Sequence, residues 1–311
     1  MGDTASSETT LQPSIDLTTA FYDVMFGFQR GKDNGLNEVE QLIYRQIEGS
    51  MSNDSKMSEF VPILPNIFSE LLVELKQEDV DFKKIARVIK TDPLMSAMVI
   101  ETANRPFFRR TSDEIISIEG AVSNLGLSKV AAIIFDMVMK QMMKIKPGYF
   151  ERFGDLIWLH SRECAIACQE LAKKENEDAF LCYLLGLVHD IGKLVIFSFI
   201  AETNSVVDTF ALPGSKCFKN FLVEIVNDVS RVVVSEWALP EPVNAAIKLQ
   251  GEPPVSALNK ILYQGNLIAD LYRFVDVGYI DESRCFELLL ENDISEELAR
   301  SVFAAIERDE S

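Results

Sequence analysis

Histidine is nearly missing from this chain: two residues in 311, His160 and His189. The scarcity bounds the chemistry, because a centre that needs three imidazoles cannot be assembled and any metal site must complete its ligands with oxygen donors. Cysteine is also sparse, five residues in all, an odd number that speaks against a secreted disulfide framework or a thiolate zinc cluster and for a reducing, cytoplasmic setting. Cys164 and Cys168 stand four apart on an expected helix and read better as small buried hydrophobes than as a chelating pair. Positive charge is short as well. Lys and Arg number 30 against 48 Asp and Glu, a formal net charge of −18, so neither a nucleic-acid partner nor adhesion to an anionic membrane is expected. Uninterrupted apolar runs are lacking: residues 130–139 are broken by Asp136, and residues 184–199 by His189, Asp190 and Lys193. No N-terminal stretch joins a basic start to an apolar run, so export and membrane spanning are not expected.

What is present is helical punctuation. A chain of this length can form about two domains and bury a substantial core without staples. Residues 1–14 are small and polar and are expected to be a disordered N-terminus. Residues 15–58 read as a helical arm and linker. Ile15, Leu17, Phe21, Val24, Met25 and Phe28 recur near helical spacing, and after GKDNG the pair Asn37 and Glu40 can form a capping box ahead of Leu42, Ile43 and Ile47. SMSNDSKMS, residues 50–58, has linker composition.

From Val61 onward nearly every segment has helical period and length, and alternating strand patterns are scarce. Asp92 followed by Pro93 is a cap and first-turn proline leading into Leu94, Met98 and Val99. Gly126 divides one helix from a Met-rich one whose methionines read as core filling, and Pro147 with Gly148 ends it. The run RPFFRR, residues 105–110, mixes cations with aromatics as single-stranded nucleic-acid grooves do; in so acidic a chain it reads as a loop with Phe107 or Phe108 anchored in the core. Glu252–Pro254 reads as a turn without chemistry of its own. Residues 256–311 add helices that complete or flank the last bundle.

The chemistry-bearing residues lie between. In LIWLHSRECAIACQELAKK, residues Ile157, His160, Cys164, Ala167 and Leu171 fall on one stripe, which turns His160 inward. Taken alone, a histidine on such a stripe is more often a hydrogen-bonded core residue than a ligand. In the next helix Cys182, Leu185 and His189 share a face, and the helix is expected to stop near Gly192, so that His189 and Asp190 sit at its end. Two antiparallel helices can then bring the histidines together. Imidazole with carboxylate suits the divalent ions, Mn, Fe or Mg, that hydrolyse phosphate esters.

HDIGK preceded by a histidine 29 positions upstream resembles the histidine-aspartate phosphohydrolase superfamily. ILP at 63–65, IKTDPLMSAMVIETAN at 89–104, SIEGAVSNLGLSKV at 117–130, LHS at 159–161, LVHDIGKLVI at 187–196 and EWALPEPVNAAI at 236–247 narrow the resemblance to the HDOD family, the HD-related output domains of bacterial signalling proteins, over residues 59–255. The resemblance implies an all-α fold, a helical bundle packed on an HD-like helical bundle. It also implies a metal-ligand set of His160, His189, Asp190 and a later aspartate, for which Asp270 is the match. Asn266, one turn away on the same face, competes for that position and would remove the anionic ligand. Relatives closer to active enzymes carry further histidines where this chain has Leu249 and Gln250.

The reading that follows is a signal-transduction HDOD protein acting as a non-catalytic protein-interaction or regulatory module. No cofactor is expected beyond at most one divalent metal ion; the partner is a protein, with a homodimer as an option. The alternative is a metal-dependent phosphohydrolase acting on a nucleotide or other phosphate ester. A third reading is a polar pocket that senses a small ligand without turnover.

Overall fold

The computed structural model describes residues 15–27, 35–51, 61–75, 82–109, 113–143, 151–206 and 213–310, and these contain helices and no strand. The all-α expectation holds. The expected disordered N-terminus, Phe28, most of GKDNG, most of the 50–58 linker, Arg110, and Pro147 with Gly148 lie outside the described residues.

An N-terminal pair, α1 (Leu17–Phe26) and α2 (Glu38–Met51), precedes a front bundle of α3 (Asn66–Leu75), α4 (Phe82–Ile89), α5 (Pro93–Asn104), α6 (Ile118–Leu125) and α7 (Leu127–Met142). Behind it stand α8 (Glu151–Glu175), α9 (Ala179–Val188), α10 (Ile191–Val206), α11 (Lys216–Glu236), α12 (Glu241–Lys248) and α13 (Ala257–Asp276), followed by α14 (Glu282–Glu291) and α15 (Glu296–Glu310). Local chemistry starts these helices where the sequence suggests. Asn37 and Glu40 form the reciprocal capping box, with Asn37 N to Glu40 Oε2 at 2.8 Å and Glu40 N to Asn37 Oδ1 at 2.9 Å. The Asp92 carboxylate accepts from Leu94 N at 2.8 Å and Met95 N at 3.2 Å, with Pro93 in the first turn. Each cap satisfies amides that a helix start leaves without partners.

Helix α8 is the axis of the rear bundle: α9, α13, α15, α10 and α7 all pack against it. Residues 179–201 are long and apolar enough to cross a membrane, yet 89% of their most apolar window is buried inside this fold. The front bundle is tied on by α7, whose Phe135 meets Phe180 of α9 with ring centres 5.8 Å apart, and by the Trp237 indole, which donates to Pro62 O at 2.8 Å. Asp309 at the end of α15 reaches both bundles, pairing with Lys129 of α7 at 3.3 Å and with Arg162 of α8.

RPFFRR departs from expectation. Phe107 is 72% exposed and Phe108 is half-buried, so neither ring anchors in the core. The loop is held instead by amide side chains: Asn124 Nδ2 donates to Phe108 O at 2.9 Å, and Asn104 brackets Ile115 at 2.7 and 2.9 Å. The aromatic pair serves as a platform for Lys129 and Arg308.

Asp136 of α7 lies at the seam between the bundles, 3.9 Å from Arg162. Burial pushes its carboxyl from the ordinary 3.8 up to about 6, against the opposing pull of Arg162. Between those values the folded chain holds a proton that the unfolded chain has released, so this contribution to stability falls as pH rises through the window. Asp136→Asn should flatten the stability–pH curve between about pH 4 and 6 by on the order of 1–3 kcal/mol. Urea denaturation at a series of pH values measures it; an unchanged slope refutes the assignment.

Candidate functional site

The site is built by two helices that touch backbone to backbone. A Cβ on Gly186 of α9 would lie 2.7 Å from Ala165 Cα and 2.7 Å from Cys164 O of α8, so only glycine allows this approach. The contact brings the His160 and His189 rings to 5.3 Å between centres. The expected stop near Gly192 is misplaced: α9 ends at Val188, His189 and Asp190 form the break, and α10 begins at Ile191. Gly192 serves close packing instead. Its amide donates to Ser230 Oγ at 2.9 Å, and a Cβ there would meet Val226 O of α11 at 2.3 Å.

Four side-chain atoms converge at the break. His189 Nδ1 donates to Gly186 O at 2.8 Å, which aims Nε2 inward. That Nε2 lies 2.8 Å from Asn266 Oδ1 and 3.1 Å from Asp190 Oδ2. His160 Nε2 lies 3.0 Å and 3.2 Å from the same two oxygens. Asp270 stands elsewhere, with Oδ1 3.3 Å from the opposite nitrogen of His160, Nδ1. Among the described residues, His160, His189 and Asp190 can share one ion, and Asp270 falls outside that group. Asp270 thus occupies the position of an outer partner that orients a ligand histidine, while Asn266 faces both imidazoles.

So many lone pairs cannot face one another without positive charge or donated protons between them. Cis ligands of an octahedral ion with bonds of about 2.1 Å are about 3.0 Å apart, and two imidazoles, a carboxylate and an amide oxygen are a donor set that fits one divalent ion. Protons offer a second solution. Burial would lower the pKa of His189, but Asp190 overcomes this and holds it above the ordinary value. Burial dominates at His160 and lowers it. Asp190 is the mirror case: burial would raise it, yet His189 and Lys193 hold it well below the carboxylate range. Burial raises Asp270, with His160 opposing.

Lys193 supplies a fixed cation. Its ammonium pairs with Asp190 Oδ2 and sits 3.7 Å above the centre of the Phe21 ring. Phe21 comes from α1 and also packs on His160, with ring centres 4.9 Å apart. The arm is pinned by Asp23, which accepts from Lys219 Nζ at 2.6 Å and from the Tyr279 hydroxyl at 3.1 Å. The spacing of apolar residues in 15–28 predicts the helix but not its place over the site. Nothing in a one-dimensional pattern connects Phe21 to Lys193.

A cavity of about 580 Å³ opens from this cluster between α1, α13 and the 249–254 turn. Leu249 and Gln250 line it, as do Glu252, Pro253 and Pro254, which the sequence presents merely as a turn.

The profile of the HDOD domain matches residues 61–253. The chain belongs to the HDOD domain family. Its fold is similar to that of a Shewanella amazonensis SB2B protein named as a candidate metal-dependent phosphohydrolase, at 18% identity and TM-score 0.60, over 85% of this chain and 99% of the other. It is likewise similar to an HDOD domain protein with unknown function from Geobacter sulfurreducens, at 20% identity and TM-score 0.57, over 84% of this chain and 89% of that one. A candidate signal transduction protein from Marinobacter aquaeolei VT8 aligns at 16% identity and TM-score 0.51, over 89% of this chain and 65% of that one. No curated protein matches. At these identities the likeness establishes the HDOD fold, and α1, which caps the site, lies outside the matched residues.

Two outcomes follow. With only two imidazoles in the chain, a nitrogen-15 histidine titration resolves both, and His189 should take up its proton at higher pH than His160; the reverse order would refute the proton arrangement. Gly186→Ala should lower stability by about 1–3 kcal/mol or more through overpacking against α8, read as a lower melting temperature, and an unchanged value would contradict the contact.

Proposed function

We propose that this HDOD chain is a non-catalytic regulatory module of bacterial signal transduction, working in the cytoplasm by engaging a protein partner. The observation that carries the reading is the Lys193 ammonium, paired with Asp190 and roofed by Phe21. The one carboxylate among the converging atoms is already neutralised by a tethered cation, and the fourth position is an amide, Asn266. Rotated by half a turn, that amide donates one proton to each Nε2, which satisfies both of these atoms without an ion.

A second reading, a metal-dependent phosphohydrolase, is favoured by the spacing of the same atoms. There His160, His189 and Asp190 would hold the ion with the oxygen of Asn266, and the ion would polarise a phosphate ester and acidify water. The chain's own residues add little to such a step. Lys193 would compete with the ion for Asp190, and Asp270 would orient His160 through Nδ1.

Metal analysis of protein purified without chelator separates the readings. The regulatory reading expects well under one ion per chain and no hydrolysis of a phosphate-ester panel with Mn²⁺ above the His189→Ala background. Asn266→Asp should raise Mn²⁺ affinity by about tenfold, equivalent to ~1.4 kcal/mol, because a second carboxylate then faces the imidazoles. A full ion per chain in the wild type, with turnover abolished in His189→Ala, would transfer the assignment to the hydrolase.

A further inference from the structure

The cavity above the His–Asp cluster has an unbalanced wall. Among the described residues, the buried lining oxygen Gln250 Oε1 finds no hydrogen-bond partner, and Asp270 Oδ1 makes no aligned one. Asp190, with only 4% of its surface exposed, keeps ion-pair contact with Lys193, and Asp270 meets His160 only at 3.3 Å without hydrogen-bond alignment. An amide oxygen without a partner and a carboxylate oxygen without an aligned one call for a ligand that brings donors, since an unpaired buried oxygen costs about 1–3 kcal/mol.

Charge points the same way. Asp190, Glu252 and Asp270 line the cavity against one ammonium, that of Lys193, which Asp190 and Phe21 already hold. Among the described residues no arginine lines it. A phosphate ester entering here would meet carboxylates and no free cation. Aromatic faces complete the wall: Phe21 and Tyr22 from α1 and Tyr263 from α13. Aromatic rings attract cations through their electron-rich faces, and Lys193 over Phe21 shows that geometry in the same cavity. The volume, about 580 Å³, lies in the range of small-ligand pockets, roughly 300–1,000 Å³.

We propose that this cavity is a binding site for a small organic cation, an aliphatic amine or guanidine, whose charged head meets Asp270 and the side-chain oxygen Oε1 of Gln250 while its stem lies against the aromatic and proline walls. The site draws its selectivity from both ends of the chain. Phe21 and Tyr22 precede the residues matched by the HDOD profile, and Tyr263 and Asp270 follow them. The proposal deepens the regulatory reading and rests on it in one respect, that the cavity retains its ligand and does not turn it over.

Isothermal titration of the full chain at physiological salt with n-butylamine and agmatine tests the proposal, with n-butanol, inorganic phosphate and adenosine monophosphate as comparison probes. The amines should bind with saturable, one-to-one stoichiometry and raise the melting temperature; n-butanol, phosphate and the nucleotide should not. Asp270→Asn keeps the shape and removes one charge, so amine affinity should fall about tenfold. Because that variant alters a buried group, Tyr263→Leu at the half-exposed mouth is the second probe, and it should weaken the amines while leaving the fold intact by circular dichroism. Binding of phosphate or nucleotide in preference to the amines, or amine binding unchanged in both variants, would overturn the assignment. Metal-dependent turnover would defeat the regulatory reading alone, whereas amine silence in a metal-free, inactive protein would defeat this proposal alone.

Discussion

The contact of α9 with α8 at Gly186 governs the rest of the site. A bare Cα lets the two backbones touch, and the same residue's carbonyl then accepts the His189 ring proton. One glycine therefore sets both the separation of the two imidazoles and the direction in which His189 presents its free nitrogen. A side chain at that position would push α9 away and tilt the ring, because interiors packed at crystal-like density do not absorb an extra carbon. The break at His189 and Asp190 follows directly. It lets α10 leave in its own direction, toward α11, where Gly192 permits a second close approach.

Electrostatics decide what this geometry can do. Among the described residues Asp190 is the only carboxylate facing both Nε2 atoms, and it already carries Lys193 as its counter-charge. A tethered ammonium costs little entropy to keep in place, and the Phe21 ring adds attraction from above. Asn266 at the remaining edge offers an amide and not the negative charge that a divalent ion would gain most from. Even so, the atoms keep the spacing of a coordination shell, since His189 is fixed by its outer hydrogen bond to Gly186 O and the buried His160 by packing, Phe21 included, independently of what lies between them.

The segments flanking the HDOD match are integral to the site. Helix α1 roofs it, and α13 supplies Asn266 and Asp270 from positions that begin after residue 253. Helix α13 also locks onto α8 through the buried pair Arg273 and Glu163, which fixes the height at which its polar face meets the histidines. Breaking one member of such a pair would strand a buried charge, so the register of α13 is strongly held. The cavity is a consequence: α1, α13 and the 249–254 turn meet around the cluster without filling the space between them.

The helices, their caps at Asn37 and Asp92, and the inward stripe that carries His160 are legible along the chain, because these depend on spacing and local hydrogen bonding within a few residues. The sequence also identified the HDOD family and limited the site to two imidazoles. The chain order could not reveal which of Asn266 and Asp270 faces the imidazoles, since both share one helix face and only the rotation and height of α13 against α8 separates them. Nor did it place Phe21 over Lys193, or turn Gln250 and the prolines after it into a cavity wall. Those relations join residues up to two hundred or more positions apart, and they exist only once packing has fixed which faces meet.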